Sequence, residues 1–345
     1  MPDPAAESAS VPARVLVVKL SSLGDLFHAV PVVHRLKEQY QCSIDWVTQP
    51  EYVELVRCHA DVDRVFAFPR RGGLSAWKAF WKDLRCNSYD MVIDLQGLTK
   101  SGMVLGIARS ARKLGASRPR ELSRLFAGEY PPDTGSGPHA RDGLMDTLRY
   151  LHIDPEPVLY PLHFPDVPKP EEPGPHLAIA PKSRWPAKDW PLDQISSLIG
   201  RLRRQRHWNV WVVGGPGERE AGERLVRDHG ADAVTNLCGT HPLLELGGWF
   251  KHMDVLLTPD SGPMHFAAAV GTPLVALFGP TDPELTGPLG EHVTVIRADP
   301  GPEGYPDHRS YKNGDTTLMA SISVETVARA VEKSLGMTST SGSGS

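Results

Sequence analysis

The stretch Val15 to Tyr40, VLVVKLSSLGDLFHAVPVVHRLKEQY, reads as a strand, a polar loop and a helix in immediate succession. Val15 to Lys19 is apolar nearly throughout, the composition of a strand covered on both faces. Beyond SSLG, Leu26, Ala29, Val30, Val33 and Leu36 recur at the spacing that puts them on one helix face. A strand feeding an amphipathic helix is the first half of a βαβ unit, so the sheet is expected to be parallel. Pro31 fits if the first helical turn begins near Phe27 or His28, where the amide it removes has no intrahelical partner. Asp25 then sits at the helix start, beyond the carboxyl end of the strand, where open α/β sheets bind ligands.

The same cycle recurs outward from this segment. Further strands are expected at Ile44 to Thr48, Val62 to Phe68 and Met91 to Leu95, with helices in the intervals. Between Ile153 and Pro175, eight of 23 residues are proline, which sustains neither helix nor central strand and reads as a stiff connection. The cycle restarts with strands at Leu177 to Ala180, Val210 to Val213, Ala233 to Leu237, Val255 to Thr258 and Leu274 to Phe278. The fold class is therefore α/β, with two Rossmann-like parallel-sheet lobes facing a central cleft. The expected divisions are a disordered tail at 1–13, a first lobe at 14–152, a linker at 153–175, a second lobe at 176–322, a closing helix at 323–336 and a flexible tail at 337–345. The closing helix carries Ser323 as cap, Glu325 in its first turn and Lys333 in its last, and stops at Gly336.

Composition bounds the function. With 345 residues, 40% hydrophobic and 23% charged, the chain buries real cores, which excludes disorder and collagen-like structure. A net charge of −4, from 37 basic and 41 acidic residues, argues against whole-molecule attraction to nucleic acid, so an anionic partner must be met locally. The four cysteines show no CxxC spacing and read as reduced thiols. Neither a signal-peptide pattern nor a membrane-length apolar run is visible, and the protein is expected in the cytoplasm.

Four signals carry candidate chemistry. Asp25 is placed as a general base, its bland alternative being a helix cap. In VLLTPDSGPMHFAAAVGTP, an apolar strand runs into Asp260, Ser261 and Gly262, whose amides and following helix dipole suit a diphosphate, with His265 one turn further in. A tight turn capped by Asp260 is the structural alternative. APKSRWPAKDWP places Lys182, Arg184 and Lys188 beyond another strand, where cations neutralise a departing diphosphate. In VVGGPGERE, Glu218 is placed to accept hydrogen bonds from ribose hydroxyls, although the turn is not a complete GxGxxG. Last, Arg70, Arg71, Lys100, Arg120, His139 and Arg141 lie in separate loops of the first half. Converging, they recognise an anionic acceptor; scattered, they are a solvated face. The sole DxD triplet, Asp61-Val62-Asp63, reads as loop chemistry, and no metal site is expected.

In order and at similar spacing, VKLSSLGDLFHAVP, DLQGLTKS, APKSRWPAKDWP and TPDSGPMHFAAAVGTPLVALFGPTDPE resemble the glycosyltransferase family 9 heptosyltransferases over nearly the whole chain. The resemblance implies a GT-B fold and a donor, ADP-L-glycero-D-manno-heptose, used without a DxD metal site or any further cofactor. It implies Asp25 as base toward the acceptor hydroxyl, Lys188 at the donor diphosphate or ribose, and Asp260 at the heptose. Ser261, Gly262 and His265 belong to the same donor site, where Lys182 and Ser183 stand in place of a threonine-rich loop and Pro263-Met264 replaces Leu-Ser. Ser22 joins the acceptor residues. Arg70-Arg71, the HAR triplet ending at Arg141 and DLQGLTKS look closest to heptosyltransferase I, which acts on Kdo of Kdo2-lipid A. The implied partners are a nucleotide sugar and an anionic lipid-linked saccharide, with peripheral contact at the inner face of the inner membrane.

The alternatives are a family 9 enzyme with a heptosyltransferase II-like acceptor or another nucleotide sugar, and an inactive nucleotide-binding regulator. A periplasmic solute receptor would need export, and a dehydrogenase would need GxGxxG with an acidic residue about 20 positions on, which neither half supplies.

Overall fold

In the computed structural model, residues 11–305 and 314–338 are described; most of both expected tails, 1–10 and 339–345, lies outside the described residues. The chain divides into two units between His163 and Phe164, inside the proline-rich stretch.

In unit 1 the strands are β1 (Arg14–Val18), β2 (Ser43–Thr48), β3 (Arg64–Ala67), β4 (Ser88–Asp94) and β5 (Arg109–Leu114). They form a parallel sheet in the order β3-β2-β1-β4-β5. The helices are α1 (Leu23–Tyr40), α2 (Val53–Arg57), α3 (Leu74–Arg85), α4 (Thr99–Ile107) and α5 (Ala140–Tyr150). Right-handed crossovers put helices on opposite faces as the chain moves first one way and then the other from β1. On one face Leu16, Val18 and Val92 pack with Phe80 and Leu84 of α3 and Val104 and Leu105 of α4. The other is covered by α1, which packs on α5. β1 is the central strand because four of its five residues are buried apolar side chains.

The expected strand Val62 to Phe68 is shorter, since Val62 and Asp63 turn back toward β2 through Asp63 N–H to Ile44 O at 2.8 Å. Sequence reading passes over β5 altogether, because RSARKL alternates polar and half-buried positions at a sheet edge. Helix α1 also starts earlier than expected, at Leu23, so Pro31 lies inside it. Proline removes one backbone donor there, and the burial of Val30, Pro31, Val32 and Val33 offsets the loss.

Unit 2 holds β6 (His176–Ile179), β7 (Asn209–Val212), β8 (Val234–Asn236), β9 (Val255–Pro259), β10 (Leu274–Phe278) and β11 (Val293–Arg297), all parallel in the order β11-β10-β9-β6-β7-β8. Its helices are α6 (Leu192–Gln205), α7 (Arg219–His229), α8 (Glu245–Phe250), α9 (Gly262–Val270), α10 (Pro283–Thr286), α11 (Thr317–Ala320) and α12 (Val324–Thr338). One core joins β6, β7, β9 and β10 to α6, α12 and Trp190. The closing helix is capped by Ser323 Oγ, which accepts from Thr326 N–H at 3.2 Å, and runs through Gly336 to Thr338. Helical glycine carries no obligatory stop; it costs about 1 kcal/mol relative to alanine.

Candidate active site

Both sheets reverse direction once. The order reverses between β1 and β4 in unit 1 and between β6 and β9 in unit 2, and loops at such switch points form the ligand crevices of open α/β sheets. The loops after these four strands carry most of the candidate residues.

In unit 1, Ser22 caps α1 and Asp25 is its third helical residue. Asp25 Oδ2 accepts both the Ser22 amide and the Ser22 hydroxyl at 2.8 Å. Ser22 is thus the cap and Asp25 its reciprocal partner, a capping box that holds the half-buried carboxylate in one place. The loop is pinned from beneath by Gln96, whose Oε1 accepts the Leu20 and Ser21 amides at 3.0 and 3.1 Å. Gln96 is held in turn by the fully buried Asp94, which accepts the Gln96 and Gly97 amides at 2.8 and 3.1 Å and the Ser101 hydroxyl at 2.8 Å. Burial raises the Asp94 pKa to about 6, against the pull of these donors and of Lys19.

Lys19, also buried, donates to Leu95 O at 3.0 Å. Desolvation lowers its pKa, the charges of Asp25 and Asp94 oppose that, and Arg120 reinforces it. Lys19, Asp94 and Gln96 were not among the sequence candidates. The signal that finds them is a lysine and an aspartate ending adjacent buried strands, visible once β1 is paired with β4.

The expected acceptor residues divide. Arg120 is tied to this edge by its amide, which donates to Gly97 O at 2.8 Å, and Lys100 is exposed in the first turn of α4. Arg70 donates to Gln49 Oε1 at 3.3 Å, and the Gln49 amide donates to Leu20 O at 3.1 Å, so Arg70 borders the same loop. Arg71 is exposed beside it. His139 is buried as the cap of α5, its Nδ1 accepting the Arg141 amide at 3.1 Å, and its ring meets that of His28 edge-on at 5.0 Å. The structure therefore gives His139 an architectural task, while Arg141 lies near Tyr160. In the DxD triplet, Asp61 pairs with His34 at 2.7 Å and Asp63 accepts the Ile44 amide at 2.7 Å.

In unit 2, Lys188 and Asp260 form an ion pair at 2.6 Å, with side chains 15% and 10% exposed. Asp260 Oδ2 also accepts from Thr281 Oγ1 at 2.8 Å, and Lys188 lies 4.9 Å from the Trp185 ring centroid. Ser261, rather than Asp260, stands at the N-terminal boundary position of α9. Its hydroxyl is engaged with Thr258 Oγ1 at 3.0 Å, and no side chain caps the helix, so its positive end is presented by Gly262 and its neighbours. His265 is buried within α9.

The Lys182 loop is shaped by Ser183, whose amide donates to Asp189 Oδ1 at 2.6 Å and whose hydroxyl donates to Trp185 O at 2.7 Å. Burial raises the Asp189 pKa, with Lys182 and Glu218 both close enough to act on it. Glu218 ends a short turn after β7 and lies against Gly214 and Gly215. Those glycines border a cavity of about 170 Å³, also lined by Leu237, His241, Leu246 and Trp249. It is apolar, with the His241 and Trp249 rings edge-on at 5.4 Å, which suits a flat heterocycle. Sequence reading missed His241 and Trp249 because nothing in their local pattern distinguishes a pocket wall from a core.

Comparison with known proteins gives the family and the fold. The family model for glycosyltransferase family 9 (heptosyltransferase) matches residues 161–310. Lipopolysaccharide heptosyltransferase 1 of Pseudomonas aeruginosa is 30% identical over 305 residues, covering 83% of this chain and 84% of that protein. The crystal structure of a family 9 glycosyltransferase from Veillonella parvula superposes with a TM-score of 0.82 at 21% identity, covering 94% and 98% of the two chains. E. coli heptosyltransferase WaaC with ADP superposes with a TM-score of 0.77 at 25% identity, covering 93% and 99%. The two parallel-sheet units are those of a GT-B fold, and the chain belongs to glycosyltransferase family 9, the heptosyltransferases.

Proposed function

We propose that this glycosyltransferase moves L-glycero-D-manno-heptose from ADP-heptose to a Kdo residue of the lipopolysaccharide inner core, with inversion and without a metal ion. The observation that carries the reading is the pairing of chemistry with topology: a fixed carboxylate at one switch point, and Lys188, paired with Asp260, beside a helix start without a side-chain cap at the other. The relative in Pseudomonas aeruginosa named lipopolysaccharide heptosyltransferase 1 supports heptose as the sugar and lipopolysaccharide as the acceptor class, while Kdo as the receiving residue rests on the sequence resemblance.

Unit 2 grips the donor. The adenine enters the cavity beside Trp249 and His241, and Glu218 accepts from the ribose hydroxyls. The diphosphate lies at the start of α9 with Lys182, Ser183 and Lys188, where amides and ammonium groups stabilise charge as it develops. Asp260, Ser261, Gly262 and His265 surround the heptose end. Unit 1 presents the acceptor, with Ser22, Arg70, Arg71, Lys100 and Arg120 holding its carboxylates and phosphates; His139 and Arg141 shape the wall behind them.

Asp25 takes the proton from the acceptor hydroxyl as that oxygen bonds to the anomeric carbon. The bond from that carbon to the diphosphate breaks, and its electron pair leaves with ADP. A single displacement inverts the anomeric configuration.

The test is to incubate purified protein with Kdo2-lipid A and, separately, ADP-heptose, UDP-sugars and GDP-sugars. One added heptose by mass spectrometry, with ADP-heptose alone, is expected. Transfer only to an already heptosylated core, or only from another nucleotide sugar, overturns the assignment.

A further inference from the structure

The outer surface of the helical layer formed by α3 and α4 is unusual for an acidic protein. Along α3, Leu74, Lys78, Trp81 and Arg85 fall on one stripe at four- and three-residue intervals, and all four are exposed. Against α4 lies the segment 120–127, anchored by Phe126, which approaches Gly102 so closely that a Cβ there would sit 2.5 Å from the ring. Leu122 and Leu125 of the same segment turn the other way and are 61% and 75% exposed. Leu74, Trp81 and Met103 on the two helices are exposed as well.

The same elements carry Lys78, Lys82, Arg85, Lys100, Arg120 and Arg124, all exposed, while the chain as a whole carries −4. Of the acidic groups among them, Asp83 is paired with Arg64 at 2.6 Å, and Glu121 accepts the Thr99 amide at 3.0 Å. Exposed leucines and a tryptophan carried on the same elements as exposed lysines and arginines match a surface that is anionic outside and apolar within.

We infer that this face of unit 1 docks on an anionic lipid bilayer, with Leu122, Leu125 and Trp81 entering the headgroup boundary and Lys78, Lys82 and Arg124 meeting lipid phosphates. This deepens the proposed function and rests on its lipid-linked acceptor. The placement fits that role, since Arg120 is bonded to Gly97 and Gln96 holds the loop that carries Asp25. A saccharide rising from the bilayer beside Arg120 and Lys100 therefore meets the base without its acyl chains leaving the membrane.

The test is flotation of the full chain with vesicles of phosphatidylcholine alone or with roughly one quarter phosphatidylglycerol. Wild type is expected to float with the anionic vesicles and to be released by high salt. Leu122→Ser with Leu125→Ser, and separately Lys78→Glu with Lys82→Glu, should each weaken binding about tenfold or more, with circular dichroism and melting unchanged. None of these side chains belongs to the candidate catalytic machinery.

Transfer to a soluble, deacylated acceptor should be unchanged in both variants, while transfer to acceptor embedded in vesicles falls. Absence of anionic-vesicle binding by wild type, or equal binding by both folded variants, overturns the inference. So does a change in self-association by sedimentation with vesicle binding intact, which would make the face a contact between copies. Flotation needs no substrate, so a failure of heptose transfer with normal flotation removes the proposed activity and leaves the docking surface standing.

Discussion

Lys188 and Asp260 occupy each other at 2.6 Å, so replacing either one has two effects that can be separated. Lys188→Ala leaves a carboxylate with little solvent and, among the described residues, only Thr281 as a side-chain donor, which should cost about 1–3 kcal/mol of stability, less than for a fully buried pair because both groups keep some exposure. It should also weaken ADP binding about tenfold to a hundredfold, the worth of a charge-assisted hydrogen bond. Adding Asp260→Asn should restore the melting temperature but not the ADP affinity by calorimetry. A lysine that matters only to the fold would recover both.

Asp94 gives a pH signature. Its folded pKa of about 6 lies above the ordinary carboxylate value of 3.8, so the folded state holds a proton that the unfolded chain has released between those values. Its contribution to stability therefore falls as pH rises through that window and levels off above it. Asp94→Asn keeps an oxygen for the Gln96 and Gly97 amides. Its unfolding free energy, measured in urea, should accordingly improve relative to wild type from pH 4 to 6, by up to about 3 kcal/mol at about 1.36 kcal/mol per unit. A pH-independent difference would remove Asp94 as the titrating group. Asp25 was legible because its loop, helix start and strand are contiguous. Asp94 and Lys19 were not, because their relation exists only after β1 and β4 pair across more than seventy intervening residues.

At the scale of elements, the buried parallel strands could be read directly, since β1, β9 and β10 are apolar on both faces. The edges could not: β5 and β11 carry charged or half-buried side chains that a solvated loop would also tolerate. Helix α8 shows another constraint hidden from sequence. Gly248 faces the backbone carbonyl of Pro165, where a Cβ would come within 2.3 Å, and Gly247 faces the Phe164 ring at 2.2 Å. In an open helix Gly→Ala gains about 1 kcal/mol, but here overpacking at about 1–3 kcal/mol wins because a backbone atom has to move. Gly248→Ala should lower the urea midpoint by the equivalent of about 1–2 kcal/mol; an unchanged or raised midpoint would show that the 164–167 segment yields.

For the whole molecule, the proline-rich composition marks 153–175 as a connection, and the chain divides into two units between His163 and Phe164. The His163 amide bonds to Cys58 O at 2.7 Å in unit 1, whereas Phe164 is buried against Phe266 in unit 2 with ring centroids 5.3 Å apart. Each unit has its own core and switch point. The proposed donor residues and the cavity beside Trp249 all belong to unit 2, so a fragment spanning 164–345 should fold and bind ADP within about tenfold of the full chain, checked by calorimetry. Loss of binding in a folded fragment would assign part of the nucleotide site to unit 1.

The central claim is that Asp25 takes the acceptor proton, and the turnover of Asp25→Asn with saturating ADP-heptose and Kdo2-lipid A tests it most directly. Asparagine retains an oxygen for the Ser22 amide and hydroxyl, so the start of α1 is kept while the base is lost. The expected result is a fall in kcat of about 10²–10⁴ with ADP affinity unchanged. Turnover within a few-fold of wild type would contradict it.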